Sequence, residues 1–216
     1  MTAASWGALA MAGVLAVADW VAVARGARRS EYVLKPAVMV ALVAVAVTID
    51  PEIGGRRWWF VAALVASLAG DVFLMLRHDR EEAGERHLFV AGLASFLVAH
   101  LLYTAGFLVD APPAGRLALA SAVVAVAAAV VGTRIVRAAS ASLQAPVTAY
   151  VVVISAMVAT ALAAGDSLAA VGAVTFYASD FLIGWTRFVA PLPGAPVAIM
   201  VTYHAGQAAL VASLAG

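Results

Sequence analysis

Cysteine is absent from the 216 residues. That removes disulfides, zinc–thiolate sites, iron–sulfur clusters and cysteine nucleophiles together. Charge is scarce: Asp, Glu, Lys and Arg make up 12% of the chain, whereas a soluble domain carries roughly 25%. The thirteen basic and twelve acidic residues nearly cancel, so no field of one sign exists to recruit nucleic acid. A GxSxG nucleophile elbow, an HExxH pair and a GxxxxGK[ST] loop are also missing, which leaves serine-hydrolase, zincin and phosphate-loop chemistry without support. What remains is apolar. Hydrophobic residues make up 65% of the chain and the mean hydropathy is +1.01, which points to a protein of the bilayer.

A membrane-crossing helix needs about 20 mostly apolar residues. Charged and Pro/Gly-rich breaks divide the chain into eight such stretches, near 5–24, 35–49, 58–76, 88–109, 115–133, 143–163, 167–186 and 195–214. The second is short unless it begins at Glu31, before the Lys35-Pro36 step. The connections are brief, the longest being a charged loop from Arg77 to His87, so residues 1–216 read as one integral-membrane domain. The first span is no secretory signal, because its positive charges (Arg25, Arg28, Arg29) follow it rather than precede it. With the amino terminus outside, alternate loops carry ten Lys/Arg on the cytoplasmic side and three outside, as the positive-inside rule demands. The expected architecture is an all-α, eight-helix transmembrane bundle with both termini on the outer side. Trp58, Trp59 and Trp185 stand where interfacial anchors belong.

Ionisable groups inside spans are costly and mark functional sites. The chain keeps Asp19, Asp71, His100, Asp180 and His204, with Lys35 at a span mouth as its single lysine beside twelve arginines. Asp71 lies six residues before Arg77 and Asp180 seven before Arg187. Both therefore sit roughly 9–11 Å inside the same face at 1.5 Å per residue. His204 and His100 fall roughly 14 and 18 Å into their spans. None of these groups lies in the outer third of its span, the pattern of a single polar cavity opening inward. Helical spacing puts His204 with Gln207, and His100 with Tyr103, on shared faces. Tyr177 stands one turn before Asp180, Arg187 two turns after it, Ser67 one turn before Asp71, and Glu31 pairs with Lys35 at i,i+4. Each group also has a plainer reading. Buried Asp and His can bind helix to helix, Asp19 near an interface reads as structural, and Lys35 can snorkel to the headgroups. Two aspartates at matching depth favour function. Gly70-Asp71-Val72-Phe73-Leu74 is also echoed by Ser179-Asp180-Phe181-Leu182 four spans later, and a His follows each in the next span. Spans 1–2 and 5–6 show no such match, which leaves a tandem arrangement of two four-span halves open.

These same segments resemble the YhhN-like family. The resemblance is carried by Lys35-Pro36, by Gly70 to Leu76, and by the run Phe89 to Tyr103 that contains His100. It continues through Tyr150-Val151-Val152-Val153-Ile154-Ser155, Ser179-Asp180-Phe181-Leu182, Arg187-Phe188, Pro191-Leu192-Pro193 and Tyr203-His204-Ala205-Gly206-Gln207. It runs in order over nearly the whole chain. The resemblance implies a lysoplasmalogenase, which hydrolyses the vinyl ether bond of a lysophospholipid to a fatty aldehyde and a glycerophospho-alcohol, in the bacterial cytoplasmic membrane. Such hydrolysis needs an acid to protonate the β-carbon and a carboxylate to stabilise the resulting oxocarbenium ion and activate water, a division of labour familiar from glycosidases. Asp71 and Asp180 are the expected pair, either one being the acid. Lys35, His100, Tyr103, Tyr150, Tyr177, Arg187, His204 and Gln207 are the expected supporting residues, with the lipid head near Lys35 and Arg187. The chemistry requires no metal and no cofactor. A proton-coupled transporter is the competing reading of buried Asp and His, but the outer third is almost purely apolar and the spans hold few prolines.

Overall fold

Apolar runs of 18 or more residues can satisfy their backbone in lipid only as helices, and helices are what form. The computed structural model describes the backbone of residues 1–76 and 82–216 and the side chains of 1–76 and 84–216. Among the described residues eight helices are long and apolar enough to cross a membrane, and none forms a strand. They are α1 (Ala3–Ala24), α2 (Arg28–Thr48), α3 (Arg56–Leu76), α4 (Glu82–Leu108), α5 (Ala114–Ala138), α6 (Ala141–Ala164), α7 (Ser167–Phe188) and α8 (Ala195–Ala212), the last running into a 3₁₀ turn at Ser213–Ala215. The protein is an all-α integral membrane bundle.

Four boundaries differ from the sequence reading, each for a physical reason. α2 starts at Arg28, seven residues before Lys35, so Pro36 lies inside the helix. The first two turns are polar enough for an interface but still helical. Lys35 is consequently two turns into the span, not at its mouth. The segment read as a loop from Arg77 to His87 is helical from Glu82 onward, in keeping with helix formers such as Glu82, Ala83, Glu85 and Arg86. Arg77 and Arg80, counted among the cytoplasmic charges, lie outside the described residues. α5 continues past Arg134 to Ala138, through one π turn at Ala128–Gly132 where Gly132 lies against Val151. Arg56, read as a loop residue, is the first residue of α3 and is buried, its guanidinium 5.5 Å from the Phe107 ring centroid.

Packing follows the small residues. α3 runs along α4, α7 along α8, and α1 along α2, while α6 sits against α4, α5 and α7. The closest approach is between α7 and α8. A Cβ at Gly172 would stand 2.7 Å from the Leu210 nitrogen, and one at Gly206 would stand 2.8 Å from the Phe176 nitrogen. Both obstacles are backbone, which cannot swing aside. In lipid, where helices gain nothing from burying apolar surface against each other, such close contact is the main source of association. Gly206→Ala should therefore force α7 and α8 apart and destabilise the bundle by about 1–3 kcal/mol. The readout is the thermal midpoint in detergent; an unchanged midpoint would mean that this crossing is not tightly held.

Candidate active site

Two carboxylates are carried into the bundle by the C-terminal halves of α3 and α7, Asp71 about one turn and Asp180 about two turns before the last residue of its helix, and each gathers its own partners. On α3, Asp71 is fully buried. Its Oδ1 lies 2.8 Å from Lys35 Nζ on α2, and its Oδ2 accepts a 2.7 Å hydrogen bond from the Tyr203 hydroxyl on α8. The Tyr203 oxygen also lies 3.3 Å from Met39 Sδ. Lys35 is buried here instead of pairing with Glu31 on its own helix or snorkelling outward. One turn outward the polar thread continues, with Gln207 Nε2 donating to Ser67 Oγ at 3.0 Å and the Tyr103 hydroxyl donating to Gln207 Oε1 at 2.5 Å.

On α7, Asp180 takes its contacts on Oδ2 alone. The Tyr150 hydroxyl of α6 donates a short hydrogen bond to it, and His100 Nε2 of α4 lies 3.1 Å from the same oxygen and 3.0 Å from the Tyr150 hydroxyl. The tyrosine proton is committed to the carboxylate, so an Nε2–H imidazole shared between the two oxygens satisfies the triad. Oδ1 is left open on the side of an apolar cavity. Phe176 stands between the two clusters, its ring centroid 4.9 Å from that of His100 and 5.4 Å from that of Tyr203. Phe96 completes the aromatic partition at 5.9 Å from Tyr203. The two carboxylates make no contact with each other and share no partner.

The helices that build the two clusters correspond. Asp71 on α3 draws partners from α2 and α8, and Asp180 on α7 draws partners from α6 and α4. Counting four helices on, from α2 to α6, α3 to α7 and α4 to α8, maps the first set onto the second. The tightly packed α3–α4 and α7–α8 pairs correspond in the same way. α2 and α6 even share an internal proline, Pro36 and Pro146. The echo around the two aspartates therefore extends to helices whose sequences do not obviously match.

The single inward cavity expected from the sequence is in fact two. A polar vestibule of about 570 Å³ opens where the N-terminal ends of α2 and α8 meet the C-terminal ends of α3 and α7, and Arg28, Glu31, Tyr32, Lys35, Thr186 and Arg187 supply its polar lining. Beside it an apolar cavity of about 50 Å³ is enclosed by α3 to α7, with Asp180 and Tyr150 in a wall otherwise made of residues such as Phe89, Leu93, Ile135 and Val147. Asp71 lines neither. It acts on the vestibule only through Lys35.

Of the expected supporting residues, Lys35, His100, Tyr150, Tyr103 and Gln207 join these networks. The others are elsewhere. His204 turns away from Gln207, accepting at Nδ1 a 3.2 Å hydrogen bond from Trp20 Nε1 of α1, because a three-residue step leaves about 60° between side chains and α8 here has neighbours on both sides. The Tyr177 hydroxyl pairs with Ser155 at 2.8 Å, not with Asp180. Arg187 lines the vestibule while held to Glu85 at 2.8 Å and stacked 4.8 Å from the Phe89 ring centroid. Asp19 is fully buried with no hydrogen-bond partner among the described residues. The sequence reading passed over Tyr203. Its i,i+4 relation to Gln207, which places both on one face, was the available signal. No group of three or more potential metal ligands occurs among the described residues.

Comparison with known proteins identifies the family. A model described as the YhhN family matches residues 30–214. A protein named lysoplasmalogenase from Mycobacterium tuberculosis is 38% identical over 185 residues, covering 82% of this chain and 67% of its own length. Lysoplasmalogenase TMEM86B of Homo sapiens is 34% identical over 154 residues, covering 71% of this chain and 62% of its own length. The Mus musculus protein of the same name is 32% identical over 160 residues, covering 74% and 65%. No solved structure matches the chain.

Proposed function

The chain belongs to the YhhN family, and from that premise we propose that it is a membrane hydrolase that cleaves the vinyl ether bond of lysoplasmalogens, releasing a fatty aldehyde and a glycerophospho-alcohol. The observation that carries the mechanism is the asymmetry of the two aspartates. Asp180 alone faces an apolar cavity with a free carboxyl oxygen, and Asp71 is ion-paired and sealed. The relatives' names favour this reading over proton-coupled transport.

With the alkenyl ether in the apolar cavity, Asp180 is placed to act as the general acid. Its proton goes to the β-carbon of the C=C bond, and the ether oxygen's lone pair forms the C=O⁺ bond of an oxocarbenium ion. Tyr150 and His100 orient the carboxyl through Oδ2. Water entering from the vestibule adds to the cationic carbon and gives its proton to the Asp180 carboxylate, and the hemiacetal hydroxyl proton then passes to the glycerol oxygen as the C–O bond to it breaks. Asp71 contributes negative charge across the Phe176 partition and keeps Lys35 at the vestibule wall. Lys35 and Arg187 there meet the phosphate of the head. Such preorganised charge in a water-poor site is worth far more than in water. We place the vestibule end at the cytoplasmic face of a bacterial inner membrane, where the basic loops cluster.

The test is aldehyde release by the purified protein from a lysoplasmalogen and from its saturated alkyl-ether analogue. Only the vinyl ether can be protonated to an oxocarbenium ion, so aldehyde is expected from it alone. Aldehyde from both, or from neither with folded protein, overturns the reading.

A further inference from the structure

Two side chains line both cavities, Leu74 on α3 and Ile183 on α7. We propose that vestibule and apolar cavity are the two halves of one substrate cleft and that Leu74 and Ile183 form the constriction between them, spanned by the glycerol of a bound lysolipid, so that these two residues set how its chain is seated against Asp180. The proposal rests on the hydrolase reading and adds to it residues outside both polar clusters.

The positions are equivalent in the two halves of the fold. Leu74 follows Asp71 by three residues and Ile183 follows Asp180 by three, so each hangs one turn nearer the inner face than its aspartate. Neither is locked in the core; both are half-buried. Leu74 has room to lean because position 92 is glycine, where a Cβ would stand 2.7 Å from Leu74 Cδ2. The chemistry on either side matches the two ends of an amphiphile. Outside the constriction are Arg28, Lys35, Arg187 and Glu31, suited to a phosphate and its base. Inside it, the wall is hydrocarbon apart from Tyr150 and Asp180.

An ether bond and a phosphate lie three carbons apart in the lipid, so the glycerol that joins them is the part that spans the constriction when the phosphate sits beside Lys35 and the ether beside Asp180. The apolar cavity of about 50 Å³ admits only the first few carbons of the chain before its walls must yield. The constriction is itself apolar. It limits how much vestibule water reaches the acid at one time, which protects the site from unproductive proton exchange.

The experiment uses a probe that the enzyme cannot hydrolyse, a saturated 1-O-alkyl lysophosphatidylcholine with a diazirine a few carbons from the ether oxygen, photolysed on the full chain in nanodiscs. Label is expected on apolar-cavity residues such as Leu93, Ile135 and Val147. Leu74→Trp or Ile183→Trp should cut it tenfold or more. Because an overfilled site could unfold the protein, Leu74→Ala and Ile183→Ala form a second arm: with the constriction removed, label should spread to Tyr32 and Ile199 of the vestibule. Wild-type label confined to lipid-facing residues, folded Trp variants labelled like wild type, or Ala variants with an unchanged pattern would each overturn the proposal. Cavity labelling from a protein that releases no aldehyde from a true vinyl ether would instead sink the hydrolase reading and leave the cleft standing.

Discussion

Asp180→Asn is expected to lower kcat for aldehyde release by at least about 10³-fold while leaving the protein folded, since general acid catalysis contributes about 10²–10⁴-fold and no other carboxyl borders the apolar cavity. The fold should survive because the amide reproduces the geometry. With its amide oxygen in the place of Oδ2, Asn can accept from both the Tyr150 hydroxyl and an Nε2–H of His100 as the carboxylate does, its NH₂ taking the place of Oδ1. The amide cannot give a proton to carbon. KM should therefore change little, since loss of a transition-state interaction appears in kcat and kcat/KM together. Asp180→Ala makes a poorer experiment, because it also strands the Tyr150 hydroxyl and His100 in the protein interior, at a cost of about 1–3 kcal/mol. Full turnover by folded Asp180→Asn would move the acid to Tyr150 or Asp71 and reverse the assignment made from the cavity wall.

That assignment depends on a distinction that sequence could not draw. Hydropathy, loop charges and span length were enough to give eight helices, because in lipid the backbone has almost no alternative. The depth of Asp71 and Asp180 came from counting residues to the nearest arginine, and both aspartates lie in the C-terminal halves of their helices. What sits opposite each depends on helix rotation and neighbour order, and neither is encoded in periodicity when almost every residue is apolar. Lys35 shows the limit. Its i,i+4 relation to Glu31 is real, yet the ammonium turns to Asp71 on another helix, because a buried carboxylate repays a counter-charge more than a solvated one does. His204 shows it too: its proximity to Gln207 in sequence suggested one cluster, and Trp20 holds it in another. Tyr203 was hidden because a tyrosine carries no formal charge, so a search for ionisable groups inside the spans passes over it. The four-plus-four echo was legible at the aspartates but not in α2 and α6, where one half supplies a lysine and the other a tyrosine from positions a turn apart.

The last expectation concerns Lys35 and Asp71, whose two possible jobs can be separated. Lys35→Met alone leaves a fully buried carboxylate without its counter-charge. Breaking one side of such a pair costs about 3–5 kcal/mol, enough to lower the detergent thermal midpoint sharply. Adding Asp71→Asn removes the second charge while keeping an acceptor for the Tyr203 hydroxyl, so the double variant should recover most of that loss, as replacement of whole buried pairs often does. Activity should not follow stability. If the pair merely ties α2 to α3, the double variant regains aldehyde release when it regains its midpoint. If Asp71 supplies charge to the oxocarbenium ion and Lys35 meets the phosphate, the double variant is stable and inactive, with kcat down by about 10²-fold or more, the scale on which single electrostatic contacts act in active sites, and with KM raised by the lost head contact. We expect the second pattern. Lys35 reaches the vestibule wall and Asp71 reaches nothing but Lys35 and Tyr203, so a buried charge pair whose one exposed edge borders the substrate's polar end is placed for chemistry, and a purely structural tie in this membrane could have been apolar at lower cost.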